Sequence, residues 1–144
     1  MDNIELNKQT AIRFLEAAGA NDPQTVGDCL AQDGVAVAMG GSKFAGVRSR
    51  QMVIEGIEAL KHLTRNGLKF TVHSVTAEGD RVAVEGEGNA VTSDGTPYRN
   101  SYCWVFTMED GKIKRFHEYF CTKLADDVLW PVAEKMQAFG ETQD

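Results

Sequence analysis

The order of hydrophobic patterns along the chain predicts an α+β domain: N-terminal helices wrapped by a curved antiparallel sheet. Three observations carry that reading. Apolar residues recur at helical spacing in the first third, four strand-like segments separated by glycine-containing turns follow up to about residue 122, and Gly86 and Gly88 interrupt one of those strands. Helices first and a meander after them give the fold class. Glycine inside a strand relaxes it into a bend or bulge, so the sheet should curve into a cup.

The elements follow in order. Ala11, Ile12, Phe14, Leu15 and Ala18 form a helical stripe between Leu6 and Ala18, which "GANDP" ends. Asp22 can cap a second short helix with Pro23 at its first position, running through Val26 and Leu30 to a break at "QDG". "VAVAM" reads as a short buried strand ending at Gly40 and Gly41. After "FAGVRS", Val53, Ile54, Ile57, Leu60 and Leu63 mark a third helix that Gly67 ends. The meander comprises "LKFTVHSVTAEGD", "RVAVEGEGNAVTSDG", "TPYRNSYCWVFTMEDG" and "KIKRFHEYF". A last amphipathic segment, about residues 123–139, carries Leu124, Val128, Val132, Met136 and Phe139, with Pro131 placed to kink or divide it. With no repeats or linkers, residues 1–144 read as a single domain.

Composition narrows the function. The chain is 42% hydrophobic and 25% charged, ordinary for a globular protein. Its net charge of -6, from 21 acidic and 15 basic residues, comes without any basic run that could follow a phosphate backbone, so a nucleic-acid partner is not expected. No apolar stretch is long enough to span a bilayer, and "MDNIELNKQT" lacks the regions of a signal peptide; a cytoplasmic protein without a membrane partner is expected. Cys29, Cys103 and Cys121 have spacings of neither a zinc site nor a disulfide framework and read as reduced and structural. His62, His73 and His117 lack metal-ligand spacing with a carboxylate, so neither metal nor cofactor is expected.

The candidate site centres on "FHEYF". On a strand, Phe116, Glu118 and Phe120 share one face. A three-residue loop Glu109-Asp110-Gly111 would oppose Tyr102 to Glu118, Asn100 to Phe120 and Trp104 to Phe116, all on that face. A two-residue Asp-Gly turn would pair Tyr102 with Tyr119 and send Glu118 to the other face. On the preceding strand, Glu85, Glu87 and Asn89 alternate with Val82, Val84, Gly86 and Ala90, and the acidic face is either solvated or lines the cup.

In element order, nearly the whole chain resembles the nuclear transport factor 2-like superfamily, in its SnoaL-like and ketosteroid-isomerase-like branch. The resemblance rests on "GVRSRQMVIEGIEAL", "AEGDRVAVEGEG" and "PYRNSYCWVFTMEDGKIKRFHEYFCT" in that order and spacing. It implies a cone of curved sheet closed by helices around an apolar pocket, with dimerisation through the outer face of the sheet. The isomerases place a protonated acid where this chain has Asn100, a tyrosine about where Phe14 stands, and a carboxylate base near Ala38. Neither Phe14 nor Ala38 can take those roles, so steroid isomerisation by that mechanism is not expected. The limonene-epoxide hydrolases use an aspartate, arginine and aspartate at positions corresponding to Tyr102, Asn100 and Glu118, so only the acid of the last strand persists. The resemblance also implies that Phe116, Glu118 and Phe120 face the pocket, and that Glu85, Glu87 and Asn89 do too.

On that basis Glu118 is the expected acid or base, its pKa raised by two phenyl neighbours and by repulsion from Glu85. Tyr102 orients it or the substrate, and Asn100 stabilises a developing oxyanion. Phe14, Glu85, Glu87, Asn89, Tyr98, Trp104, Phe116 and Phe120 are the expected substrate wall. His117, with Tyr119, falls on the outer face. The expected function is cofactor-independent isomerisation, cyclisation or hydration/hydrolysis of a small hydrophobic carbonyl or epoxide compound. A non-catalytic ligand-binding or dimerisation module on the same scaffold is the alternative.

Overall fold

The computed structural model describes residues 2–143, and the side chains of residues 2–136. Helix α1 spans Asn3–Gly19, opened by the Asp2 carboxylate accepting from the Glu5 amide at 2.8 Å. Asn21, at φ 55°, turns the chain, and Asp22 caps α2 (Pro23–Cys29) by accepting from the Thr25 amide at 3.1 Å. Helix α3 (Arg50–Leu63) begins at Ser49, whose hydroxyl accepts from the Met52 amide.

Six strands form one open sheet in the order β2-β1-β6-β5-β4-β3. They are β1 (Leu30–Ala38), β2 (Gly46–Ser49), β3 (Lys69–Glu78), β4 (Arg81–Val91), β5 (Pro97–Glu109) and β6 (Lys112–Phe120). The meander β3 to β6 is antiparallel, whereas β1 joins β6 in parallel, so the sheet is mixed. One face packs on α1 and α3, with Ala11, Leu15, Val26, Val82, Val84, Phe106 and Ile113 at the centre of the core.

Sequence and structure part at two places in this first half. The second helix stops at Cys29, and Leu30 already belongs to β1, which runs on through "QDG". What reads as a break is a bulge within the strand: a Cβ on Gly34 would lie 2.9 Å from the carbonyl oxygens of both Ala31 and Ile113, so a glycine fits there. "GVRS", which has no element in the sequence reading, is a strand: it pairs antiparallel with β1 and places Arg48 opposite Ala36.

The β5–β6 turn combines features of both sequence alternatives. Glu109 pairs with Lys112 across a two-residue turn in which Asp110 (φ 52°) and Gly111 (φ 76°) are left-handed. That turn alone would send Glu118 to the outer face. A bulge between Thr107 and Met108 absorbs one extra residue of β6, however, and restores the parity. Glu118 therefore shares the inner face with Tyr102, but opposite Trp104. Phe120 faces Tyr102 and Phe116 faces Phe106, so the register differs from expectation while the face does not.

The C-terminal segment starts with one helical turn, α4 (Thr122–Leu124), widens into a π-helical turn at Ala125–Leu129, and continues as α5 (Trp130–Gln143). Pro131 has no N–H for a backbone bond, and the irregular turn precedes it directly. Asp126 ties this segment to the β1–β2 connection by accepting from the Ser42 hydroxyl at 2.6 Å and the Lys43 amide at 3.0 Å. Phe139 lies outside the residues whose side chains are described.

Candidate functional site

A cavity of about 330 Å³ lies between the concave face of the sheet and the helices. Phe14, Leu15 and Ala18 of α1, Val53, Ile57 and Leu60 of α3, and Ala125 and Leu129 of the C-terminal segment make its apolar walls. From the sheet come Phe70, Tyr98, Tyr102, Trp104, Phe116, Glu118 and Phe120. Its charged side chains are Glu118 and Arg48. A fold of this size usually fills such space with side chains, and a cavity lined largely by apolar groups with a few convergent polar ones is the normal form of a small-molecule site.

Glu118 is held by its cross-strand neighbour: the indole N–H of Trp104 donates to Oε2 at 2.8 Å. The indole is itself fixed, because Tyr102 stacks on it at 5.2 Å with 3° between the planes, and Phe70 meets it edge-on at 5.0 Å. The remaining accessible surface of Glu118 opens on the cavity. Burial pushes its pKa up, while the Trp104 bond and the more distant Arg48 charge pull in the opposite direction without cancelling it. Among the described residues Oε1 has no hydrogen-bond partner.

A second polar chain runs beside it. The Asn100 amide accepts from the Cys121 N–H at 3.0 Å and donates to the Cys121 carbonyl at 2.9 Å, which fixes its orientation, since a backbone N–H can only donate. Its Nδ2 also donates to the Tyr98 hydroxyl at 2.8 Å, and the Tyr98 and Tyr102 hydroxyls are 2.7 Å apart. The order that gives every buried proton an acceptor is Asn100 to Tyr98 to Tyr102, leaving the Tyr102 proton for the cavity. Burial pushes the phenol of Tyr98 up, and that of Tyr102 well up, so both stay protonated donors. Asn100 is 2% exposed and stands behind Tyr98 rather than on the wall.

Other expected residues divide by strand face. Phe14 packs edge-on against Phe116 at 5.0 Å, and with Phe120 they line the cavity. Glu85, Glu87 and Asn89 do not: they lie on the outer face, because Val82, Val84, Gly86 and Gly88 take the inward positions of β4. Glu85 accepts from the Ser74 hydroxyl, and Glu87 pairs with Arg99 at 2.9 Å and lies 3.7 Å from His73. The Arg99 bond holds the Glu87 carboxyl below its usual value. Glu85 therefore cannot act on Glu118 across the pocket as expected. Gly88 instead makes room for the aromatic wall, since a Cβ there would sit 2.9 Å from the Tyr102 ring, whereas a Cβ on Gly86 would meet the Thr71 carbonyl oxygen of β3. His117 and Tyr119 occupy the outer face.

Arg48 and Phe70 escaped the sequence reading. Arg48 lies in a segment to which the sequence reading assigns no element, and β-pairing of "GVRS" with "VAVA" is the signal that places it. Phe70 follows from the alternation in "LKFTVHSV" once the face of β4 is known. Among the described residues no group of three or more His, Cys, Asp or Glu side chains is placed to hold a metal ion, and no helix is long and apolar enough to cross a membrane.

Comparison with solved structures shows the same fold at low sequence identity. Bal32a from a soil-derived mobile gene cassette is 21% identical over 89% of this chain and 99% of its own, with a TM-score of 0.80. An NTF2-like protein of unknown function from Burkholderia pseudomallei is 20% identical over 86% and 97% of the two chains, with a TM-score of 0.76. An LEH-like epoxide hydrolase of M. tuberculosis is 18% identical over 95% and 98%, with a TM-score of 0.72. No curated protein matches the sequence. The SnoaL-like domain family matches residues 11–116, so the chain belongs to the SnoaL-like domain family, on an NTF2-like fold.

Proposed function

We propose that the protein is a cofactor-independent acid/base enzyme that isomerises, cyclises, hydrates or hydrolyses a small hydrophobic carbonyl or epoxide compound. The observation that carries this reading is Glu118: a carboxyl on an apolar cavity wall, its pKa raised by burial, with Oε2 held by Trp104 and Oε1 left to the cavity. A raised pKa lets the group hold a proton at higher pH than an exposed glutamate does, which favours its use as an acid or base in turnover. The Tyr102 hydroxyl, aligned by Tyr98 and Asn100, is the donor for a substrate oxygen that gains negative charge. For a carbonyl compound, Glu118 takes the proton from the adjacent carbon while Tyr102 stabilises the enolate. For an epoxide, protonated Glu118 gives its proton to the ring oxygen as the C–O bond breaks, and the water that adds at that carbon returns a proton to the Glu118 carboxylate.

Glu118→Gln keeps the shape and the Trp104 bond but cannot transfer a proton. Turnover of hydrophobic epoxides or enolisable ketones should fall by about 10²-fold or more, with ligand binding retained. Equal turnover in both forms would overturn the reading. A binding module is the second reading, favoured by the Trp104–Glu118 bond, which already satisfies one carboxylate oxygen as a static wall contact would; it expects binding without turnover in either form. We further propose a homodimer through the outer sheet face, where Val47 (62% exposed) and Tyr119 (42% exposed) flank Val37, His117 and Val105.

A further inference from the structure

The cavity holds a cation that the acid/base chemistry does not use. Arg48 stands on β2 opposite Ala36, and Glu118 stands on β6 opposite Ala38 of the same strand. The two alanines of β1 therefore leave a low, open floor between the two charged side chains. The Arg48 Nη2 donates to the Phe44 carbonyl at 2.7 Å, which anchors one end of the guanidinium; Phe44 in turn packs edge-on against Trp130 at 5.2 Å. Among the described residues the Arg48 side chain makes no other hydrogen bond and no ion pair. A partly buried guanidinium on an apolar wall, with most of its five donors uncommitted, is an incomplete pair.

We propose that Arg48 is the recognition site for an anionic group, so that the ligand is a small hydrophobic acid bearing a carboxylate at one end and its reacting carbon or oxygen toward Glu118. The proposal rests on the acid/base reading for the position of the reacting end, but its anionic subsite stands on the unpaired guanidinium alone. A planar guanidinium matches a carboxylate with two parallel hydrogen bonds, and the apolar walls receive the hydrocarbon part. An arginine serving only to balance Glu118 would instead be expected to pair with it directly, and no such ion pair forms.

Titration calorimetry with octanoate and octanamide at neutral pH tests the assignment, since the two probes share a hydrocarbon chain and differ in charge. Octanoate should bind the native protein roughly tenfold to a hundredfold tighter than octanamide. Arg48→Gln should abolish that difference while leaving octanamide affinity unchanged, and Arg48→Lys should keep part of it; thermal melts establish that each variant folds. Equal binding of the two probes, or a preference that survives in Arg48→Gln, would overturn the anionic subsite and leave the acid/base reading standing. Binding of neither probe would overturn both, because the apolar cavity itself would then be closed to ligands. If Arg48→Gln fails to fold, the native comparison and Arg48→Lys still decide the matter.

Discussion

Gly88→Ala probes whether the aromatic wall of the cavity depends on missing side chains in β4. The added Cβ would lie 2.9 Å from Cε1 of Tyr102, 3.1 Å from Cδ1 of Leu68 and 3.2 Å from Cε1 of Phe70. Ordinary carbon contacts are about 3.5–4.0 Å, so the Tyr102 ring must retreat by roughly 0.5–1 Å. That movement disturbs the 2.7 Å contact with Tyr98 and the stacking on Trp104. Overpacking of this kind costs about 1–3 kcal/mol, and removal of a glycine from a strand returns about 0.5–1 kcal/mol. Net destabilisation of up to about 2.5 kcal/mol is expected from urea denaturation followed by tryptophan fluorescence. Gly56→Ala is the control: it lies within α3 with nothing within 4 Å of its Cβ, and should stabilise by about 0.5–1 kcal/mol. If Gly88→Ala were as stable as Gly56→Ala, the glycine would not be holding space for Tyr102.

Burial raises the folded-state pKa of Glu118 above that of the unfolded chain, so the folded state binds that proton more tightly. The contribution favours folding in acid and is lost as pH rises from the unfolded value through the folded one; the melting temperature of the native protein relative to Glu118→Gln should fall across that window, and a flat difference would refute the burial argument. Asn100→Ala leaves both backbone groups of Cys121 and the Tyr98 hydroxyl short of a partner, and should cost about 2–4 kcal/mol in urea denaturation. Val105→Glu places a charge at the centre of the outer face and should shift the protein from dimer to monomer in size-exclusion chromatography with light scattering. A native protein that already runs as a monomer would remove the dimer proposal.

Local chemistry made the helices and the meander readable. Asp22 caps where its side chain dictates, and Gly67 and Gly111 turn where positive φ is needed, whereas the caps at Asp2 and Ser49 emerge only in the structure. The mixed sheet was less readable, because the parallel β1–β6 pairing joins residues some eighty positions apart and no local pattern announces it. "QDG" has the composition of a break, yet the bulge at Gly34 keeps it in a strand. Arg48 was lost for the same reason: four residues of an edge strand carry too little alternation to distinguish strand from loop. The inward face of β4 was legible in the residues themselves, where valines and glycines alternate with charges. Placing Glu85, Glu87 and Asn89 in the pocket followed the resemblance and overrode that pattern, and the structure returns them to the outer face.

The β5–β6 register has the largest consequence for chemistry. Two departures from the expected hairpin, a two-residue turn and a one-residue bulge, change the face twice and so leave it unchanged, but they move every partner along the strand. Glu118 exchanges Tyr102 for Trp104. An indole N–H is a donor that cannot accept, so it pins one carboxylate oxygen without competing for a proton. A tyrosine in that place would have offered both functions to Glu118. Freed from Glu118, the Tyr102 hydroxyl joins Tyr98 and Asn100, whose orientation is locked by the backbone of Cys121. The bulge thus divides one expected cluster into two: a carboxyl held by an indole and a chain of phenols, both opening on the same apolar space. Removing the indole donor by Trp104→Phe should therefore raise the Glu118 pKa further, seen as an upward shift of the carboxyl titration by NMR, while leaving the Tyr98–Tyr102 hydroxyl pair intact; an unchanged titration would refute the role given to the indole.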